Sequence, residues 1–301
     1  MSNGQVVEIF PPDAHSGARF FLTRENSTSV LIKRFPEVDQ SVINTLEKQK
    51  SFQPFQINDD TIKVRAARIL DTDIESIVST REARFVFERA VSGSKLLQSG
   101  NPREIQMLVH FMNDIVASAM LYEQKPFPVG TAISKIDEVF DGDILNCLLP
   151  DCKTLSLTLR QVIGLRELCV CGVGGAHGDL TLSNIMIDEE CREIVLIDFI
   201  AGYHDFMTID FAKLLQEFRY GWTSRHFSKH DKTRAKIIYD YVWPRDSWAS
   251  LPEWFKLSVE VELAMTLLRI APYVRHSDKQ TQKWLIDAVN AQNNILLGVM
   301  V

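Results

Sequence analysis

His177-Gly178-Asp179-Leu180-Thr181-Leu182-Ser183-Asn184-Ile185-Met186-Ile187-Asp188, with Ile194-Val195-Leu196-Ile197-Asp198-Phe199 a short turn later, is the stretch of this 301-residue chain on which the fold turns. Two apolar, strand-like runs flank a polar turn. Asp179 precedes Asn184 by five residues, close enough for one loop to present both. Asp198, nineteen residues after Asp179, closes the second run, and a hairpin joining the two runs returns it beside Asn184. Phosphoryl transfer calls for a carboxylate that orients an attacking hydroxyl and takes its proton, together with oxygen ligands that hold Mg²⁺ against nucleotide phosphates. This segment supplies all three groups. Just upstream, Cys169-Val170-Cys171-Gly172-Val173-Gly174-Gly175 runs on to His177 where a dinucleotide-binding turn has its third glycine, so it reads as a tight turn entering the loop.

Downstream, Thr208-Ile209-Asp210-Phe211-Ala212 opens a helical texture that continues near 209–220, 230–242, 253–274 and 279–297. In the third of these Leu257, Val261, Ala264, Leu267/Leu268 and Ala271 share one face. Upstream the texture is different. Strands are predicted at 5–10, 18–24 and from Ser29 to Phe35, then a helix over 39–50 opened by Asp39 as N-cap, then strands at about 62–69 and 84–90. Beyond Ser92-Gly93-Ser94 the helical spacing of Ile105, Leu108, Phe111/Met112, Ile115, Ala119 and Tyr122 takes over, which places a hinge near 89–95. Residues 124–150 read as a Pro-containing loop and a segment, KIDEVFDGDIL, open between a helix and an insertion. The fold class expected is α+β: a smaller lobe over 1–90, an antiparallel sheet with one helix, and a larger, mainly α-helical lobe over 91–301.

A 46% hydrophobic content is enough for a sizeable core, and a formal charge of -6 with a pI near 5.7 gives no reason to expect a nucleic-acid partner. The N-terminus MSNGQVVEIFPPDAH lacks a basic leader and an apolar signal run, and no stretch approaches the roughly 18 apolar residues of a membrane span. A cytoplasmic protein is expected. The five cysteines form no CxxC pair and have no paired histidines at zinc spacing, so free thiols are expected.

The pattern H-x-D-x-x-x-x-N with a later I-D-F resembles the catalytic and metal loops of the protein-kinase-like superfamily. The variant HGDLT-x-x-N, with Gly178 where ordinary protein kinases usually carry Arg, is closer to the aminoglycoside and choline phosphotransferases and related bacterial sugar kinases. It also resembles the small atypical kinase that works with the tRNA threonylcarbamoylation machinery. The resemblance implies a bilobal fold with ATP and Mg²⁺ as cofactors, ATP lying between the lobes. It makes Asp179 the catalytic base, Asn184 and Asp198 the metal ligands, and His177 and Asp210 structural supports of the loop. In the smaller lobe it makes Lys33, in Val30-Leu31-Ile32-Lys33, the grip on the α- and β-phosphates, with Glu47 its helix partner and Glu88 to Ala90 the hinge for adenine. Trp222 and Arg225, which follow the supporting helix, fall on the acceptor side. The covering loop reads Pro11-Pro12-Asp13-Ala14-His15-Ser16-Gly17, with one glycine where protein kinases have three.

Asp210 follows Asp198 by only twelve positions, too few for the activation segment on which protein kinases dock peptides. A small-molecule hydroxyl acceptor is therefore expected, a sugar, amino-sugar or amino-alcohol. The alternatives are a nucleotide-binding pseudokinase or regulatory subunit and an atypical protein kinase, and a protein partner stays open.

Overall fold

The structure, a computed structural model, describes residues 6–9, 17–25, 28–58, 61–71, 73–87, 90–121, 124–140, 150–171, 175–202, 204–275 and 277–300. The chain divides into two compact units, 1–91 with 186–201 and 92–185 with 202–301.

In the first unit β1 (Val7–Ile9), β2 (Arg19–Glu25) and β3 (Thr28–Arg34) form an antiparallel meander, and β6 (Glu82–Val86) extends it beyond β3. Helix α1 (Gln40–Ser51) starts where Asp39 Oδ1 accepts the Val42 N–H at 2.9 Å, an N-cap contributing about 1 kcal/mol. Its Leu46 joins Ile77, of α2 (Ile74–Thr80), and Ala83 in a core that Phe35, Val42, Ile69, Ile74 and Phe85 close over. The strand expected at 62–69 stops at Ala66, and Ile69 keeps a single bridge to Phe85.

A second sheet has the order β4 (Phe55–Ile57), β5 (Ile62–Ala66), β11 (Glu193–Leu196), β10 (Ile185–Asp188), β7 (Val91–Ser92). β5 and β11 run parallel, Val64 opposite Ile194. Their residues Ile62, Val64, Ile194, Val195 and Leu196 are all buried, as parallel strands covered on both faces require. β10 and β11, the two apolar runs of the opening motif, are neighbours in this sheet.

The second unit is mainly helical: α3 (Gly93–Ser99), α4 (Pro102–Ser118), α5 (Val129–Phe140), α6 (Pro150–Leu165), α7 (Met207–Tyr220), α8 (Lys229–Val242), α9 (Arg245–Ala249), α10 (Glu253–Ile270) and α11 (Lys279–Met300). α10 is enclosed by its neighbours, since Phe255, Val259, Val261, Leu263, Ala264 and Leu267 point round the whole helix and are all buried. α7 and α11 pack against it, and α6 packs on α11. A short ribbon, β8 (Gln124–Pro126) with β9 (Cys169–Cys171), leads into the motif loop. The α+β class expected from the sequence is the one found. KIDEVF lies in α5, and the rest of that segment is outside the described residues. No described helix is long and apolar enough to cross a membrane.

Candidate active site

His177, Asp179 and Asn184 share one loop of the second unit, which ends in the 3₁₀ turn Leu182–Asn184. The loop doubles back on itself. Thr181 N–H donates to Asp179 O at 2.8 Å and Asn184 N–H to Thr181 O at 3.0 Å. This course sets the Asn184 carboxamide against Asp179, where its Nδ2 donates to the main-chain O at 2.8 Å and to the carboxylate Oδ2 at 3.0 Å. Gly178 has φ +89°, a conformation that glycine enters without steric cost and other residues rarely adopt. His177 is buried, and its Nδ1 accepts the Asp179 N–H at 3.2 Å, which leaves the ring proton on Nε2.

One face of α7 carries this loop. Asp210, buried, accepts His177 N–H at 2.6 Å on Oδ2 and Gly178 N–H at 2.7 Å on Oδ1. One turn on, Lys213 Nζ lies 2.8 Å from Asp179 Oδ1. A further turn on, Glu217 accepts the Leu182 N–H, and also Thr223 N–H at 3.0 Å and Thr223 Oγ1–H at 2.8 Å. Spacings of three and four residues align all three side chains. From the opposite direction α3 closes on the same loop at Gly93, where a Cβ would meet Leu182 O at 2.9 Å.

The electrostatics follow from these contacts. Burial by itself would raise the Asp179 pKa, but the Lys213 ammonium, helped by the Asn184 hydrogen bond, outweighs it and holds the carboxyl below its usual range. Glu217 goes the other way. Burial outweighs its hydrogen bonds and the nearby Arg225, and pushes its pKa up to about 7.

The other half of the motif lies in the first unit. Lys33, on β3, places Nζ 2.9 Å from Asp198 Oδ1, with the lysine side chain 18% and the aspartate side chain 49% exposed. The ammonium thus meets Asp198 and not Glu47, which is exposed on α1. Asp198 itself has φ +55°, in the left-handed region that costs a non-glycine residue about 1–2 kcal/mol. α1 fixes the residues that follow it. Phe199 packs edge-on against Phe52 at 5.4 Å, Ile200 O accepts from Lys48 Nζ at 3.0 Å, and Ala201 N–H donates to Thr45 Oγ1 at 3.1 Å.

Each unit offers a hard oxygen of the kind Mg²⁺ takes, Asn184 Oδ1 in the second and Asp198 Oδ2 in the first, each on a side chain whose other polar atom is hydrogen-bonded. Among the described residues there is no cluster of three or more His, Cys, Asp or Glu that could hold a metal ion.

Trp222 and Arg225 form a clamp at the end of α7. The Arg225 guanidinium lies 3.6 Å from the Trp222 ring centroid, Nη1 donates to Trp222 O at 2.8 Å, and Nε donates to Thr281 Oγ1 on α11 at 3.2 Å. The Trp222 ring meets Trp284 at 4.9 Å. Ala90 is half-buried just before β7, while Glu88 and residues 11–16 of the covering loop lie outside the described residues. Sequence reasoning missed Lys213 and Glu217. Stepping along α7 from Asp210 at the helical period is the signal that finds them.

Neither a protein-family model nor a curated protein matches the chain. Solved structures do. Aminoglycoside phosphotransferase APH(4)-Ia is similar with a TM-score of 0.59 at 12% identity, covering 97% of this chain and 93% of that chain. A thermostable mutant of the same protein, in ternary complex with AMP-PNP and hygromycin B, gives 0.57 at 11% identity, covering 97% and 94%. The chain has the kinase-like fold of the aminoglycoside phosphotransferases.

Proposed function

We propose that this protein is an ATP- and Mg²⁺-dependent phosphotransferase that moves the γ-phosphoryl group to a hydroxyl of a small molecule. The observation that carries the reading is the setting of Asp179. Its loop is pinned by Asp210, its carboxylate is oriented by Asn184 and Lys213, and it is held ionised, as a group that accepts a hydroxyl proton must be. The fold likeness supports the same class, since a protein of this fold binds AMP-PNP together with hygromycin B.

In this reading Asp179 orients the acceptor hydroxyl and takes its proton. Asn184 and Asp198 are the side chains that would hold the metal, which when bound would supply positive charge to the phosphate oxygens. Lys33 steadies the α- and β-phosphates, and the lysine's contact with Asp198 sets both side chains before nucleotide arrives. The short interval from Asp198 to Asp210 leaves no long segment for docking a peptide, which favours a small acceptor over a protein.

The test is a screen of sugars, amino-sugars, amino-alcohols and protein substrates with labelled ATP, run on the native protein and on Asp179→Asn. Loss of a positioned base typically costs about 10²–10⁴ in rate, so Asp179→Asn should retain nucleotide binding and lose turnover by that factor. Equal turnover in the two proteins would remove the mechanism.

A further inference from the structure

The carboxylate that is to meet the acceptor already has a counter-ion. Lys213 Nζ is 2.8 Å from Asp179 Oδ1 and Asn184 Nδ2 is 3.0 Å from Oδ2, so each oxygen of the base receives one donor from the chain itself. The lysine is no passing surface charge. Its side chain is 18% exposed, and it stands on the helix face that pins the same loop through Asp210 and Glu217. An acceptor oxygen hydrogen-bonded to Asp179 lies within about 6–7 Å of that ammonium.

The neighbouring carboxylates present no free oxygen to an acceptor. Asp210 commits both oxygens to the N–H groups of His177 and Gly178, and Glu217 is fully buried on Thr223 and Leu182. A cationic acceptor therefore finds the charge of Asp179 already answered, and brings its ammonium close to another.

Resting on the phosphotransferase reading and narrowing it, we propose that Lys213 is a specificity-determining and positioning residue, the internal counter-ion of Asp179, and that the acceptor is an uncharged sugar or polyol, not a cationic amino-sugar or amino-alcohol. In the reaction the acceptor O–H bond breaks and its proton passes to Asp179. The acceptor oxygen uses its electron pair to form the new O–P bond, while the bond from the γ-phosphorus to the bridging oxygen breaks and its electrons leave with ADP. Lys213 holds the plane of the carboxylate throughout.

The experiment compares kcat/KM for matched acceptors, glucose with glucosamine and ethylene glycol with ethanolamine, in the native protein, Lys213→Met, Lys213→Gln and Lys213→Arg, with thermal melts to confirm folding. The native protein should use the neutral member of each pair at least as well as the amine. Lys213→Met and Lys213→Gln should raise the amine-to-neutral ratio by about tenfold or more, because the carboxylate then lacks its partner, whereas Lys213→Arg should keep the native ratio. A merely structural lysine would lower both members equally and leave the ratio alone. That result, or a native preference for the amines, overturns the proposal. A folded native protein that transfers phosphate to no acceptor in the wider screen refutes the phosphotransferase reading itself, an outcome recognised by the absence of native turnover.

Discussion

Glu217 makes the stability of the second unit depend on pH in a direction opposite to that of most carboxylates. Burial pushes its pKa up to about 7 against a reference of 4.5, so the folded protein holds this proton over a range in which the unfolded chain has released it. Its stabilising contribution is complete below pH 4.5 and declines as pH rises, until it is lost above about 7. At about 1.4 kcal/mol per pH unit, that interval corresponds to about 3 kcal/mol. The Glu217→Gln substitution removes the titration. It keeps a carbonyl for one N–H, and the Thr223 hydroxyl, now a donor to Oε1, can turn to accept from the new amide. Melting both proteins at pH 5, 6, 7 and 8 and constant ionic strength isolates the effect. The variant should gain on the native protein by about 2.5 kcal/mol from pH 5 to pH 8, a relative rise in melting temperature on the order of 4–8 °C. Parallel pH profiles would refute the reasoning, since they would mean that Thr223, Leu182 and Arg225 keep Glu217 fully ionised in the fold.

Asp210→Asn turns one acceptor into a donor facing the His177 or Gly178 N–H, leaving a buried group unmet at a cost of about 1–3 kcal/mol. Its turnover should fall by about tenfold or more with the nucleotide dissociation constant unchanged, as steady-state kinetics and a nucleotide titration would show. Gly93→Ala drives a methyl to 2.9 Å from Leu182 O and should lower both melting temperature and turnover, at about 1–3 kcal/mol of stability. Gly130→Ala, with no atom within 4 Å of the added carbon, should melt no lower than the native protein and serves as the control.

The geometry of the loop was legible because it is local. Asp179 and Asn184 are five residues apart on one loop, and apolar runs mark the strands on either side. Asp39 announced the start of α1, and Asp210 was readable once the loop had been recognised. Lys213 and Glu217 stood in the open on the same helical period. Charged residues at that spacing usually lie on a solvated face, and only the fold shows which side of α7 the loop covers. The contact of Lys33 with Asp198 joins positions 165 residues apart and leaves no periodic trace, so Glu47, on the nearest helix, drew the assignment. β4 is three residues long and α2 seven, too short for alternation or amphipathicity to be read.

The parallel pairing of β5 with β11 bears on how the protein is made. Glu193 is made 127 residues after Ala66, so during synthesis the earlier portion waits with the β5 edge bare. An open edge of buried-type residues is a template for the wrong partner, and a contact so distant along the chain is slow to form. A fragment ending at residue 91 should therefore aggregate on expression, whereas a polypeptide in which residues 186–201 are fused behind it through a flexible linker should stay in solution.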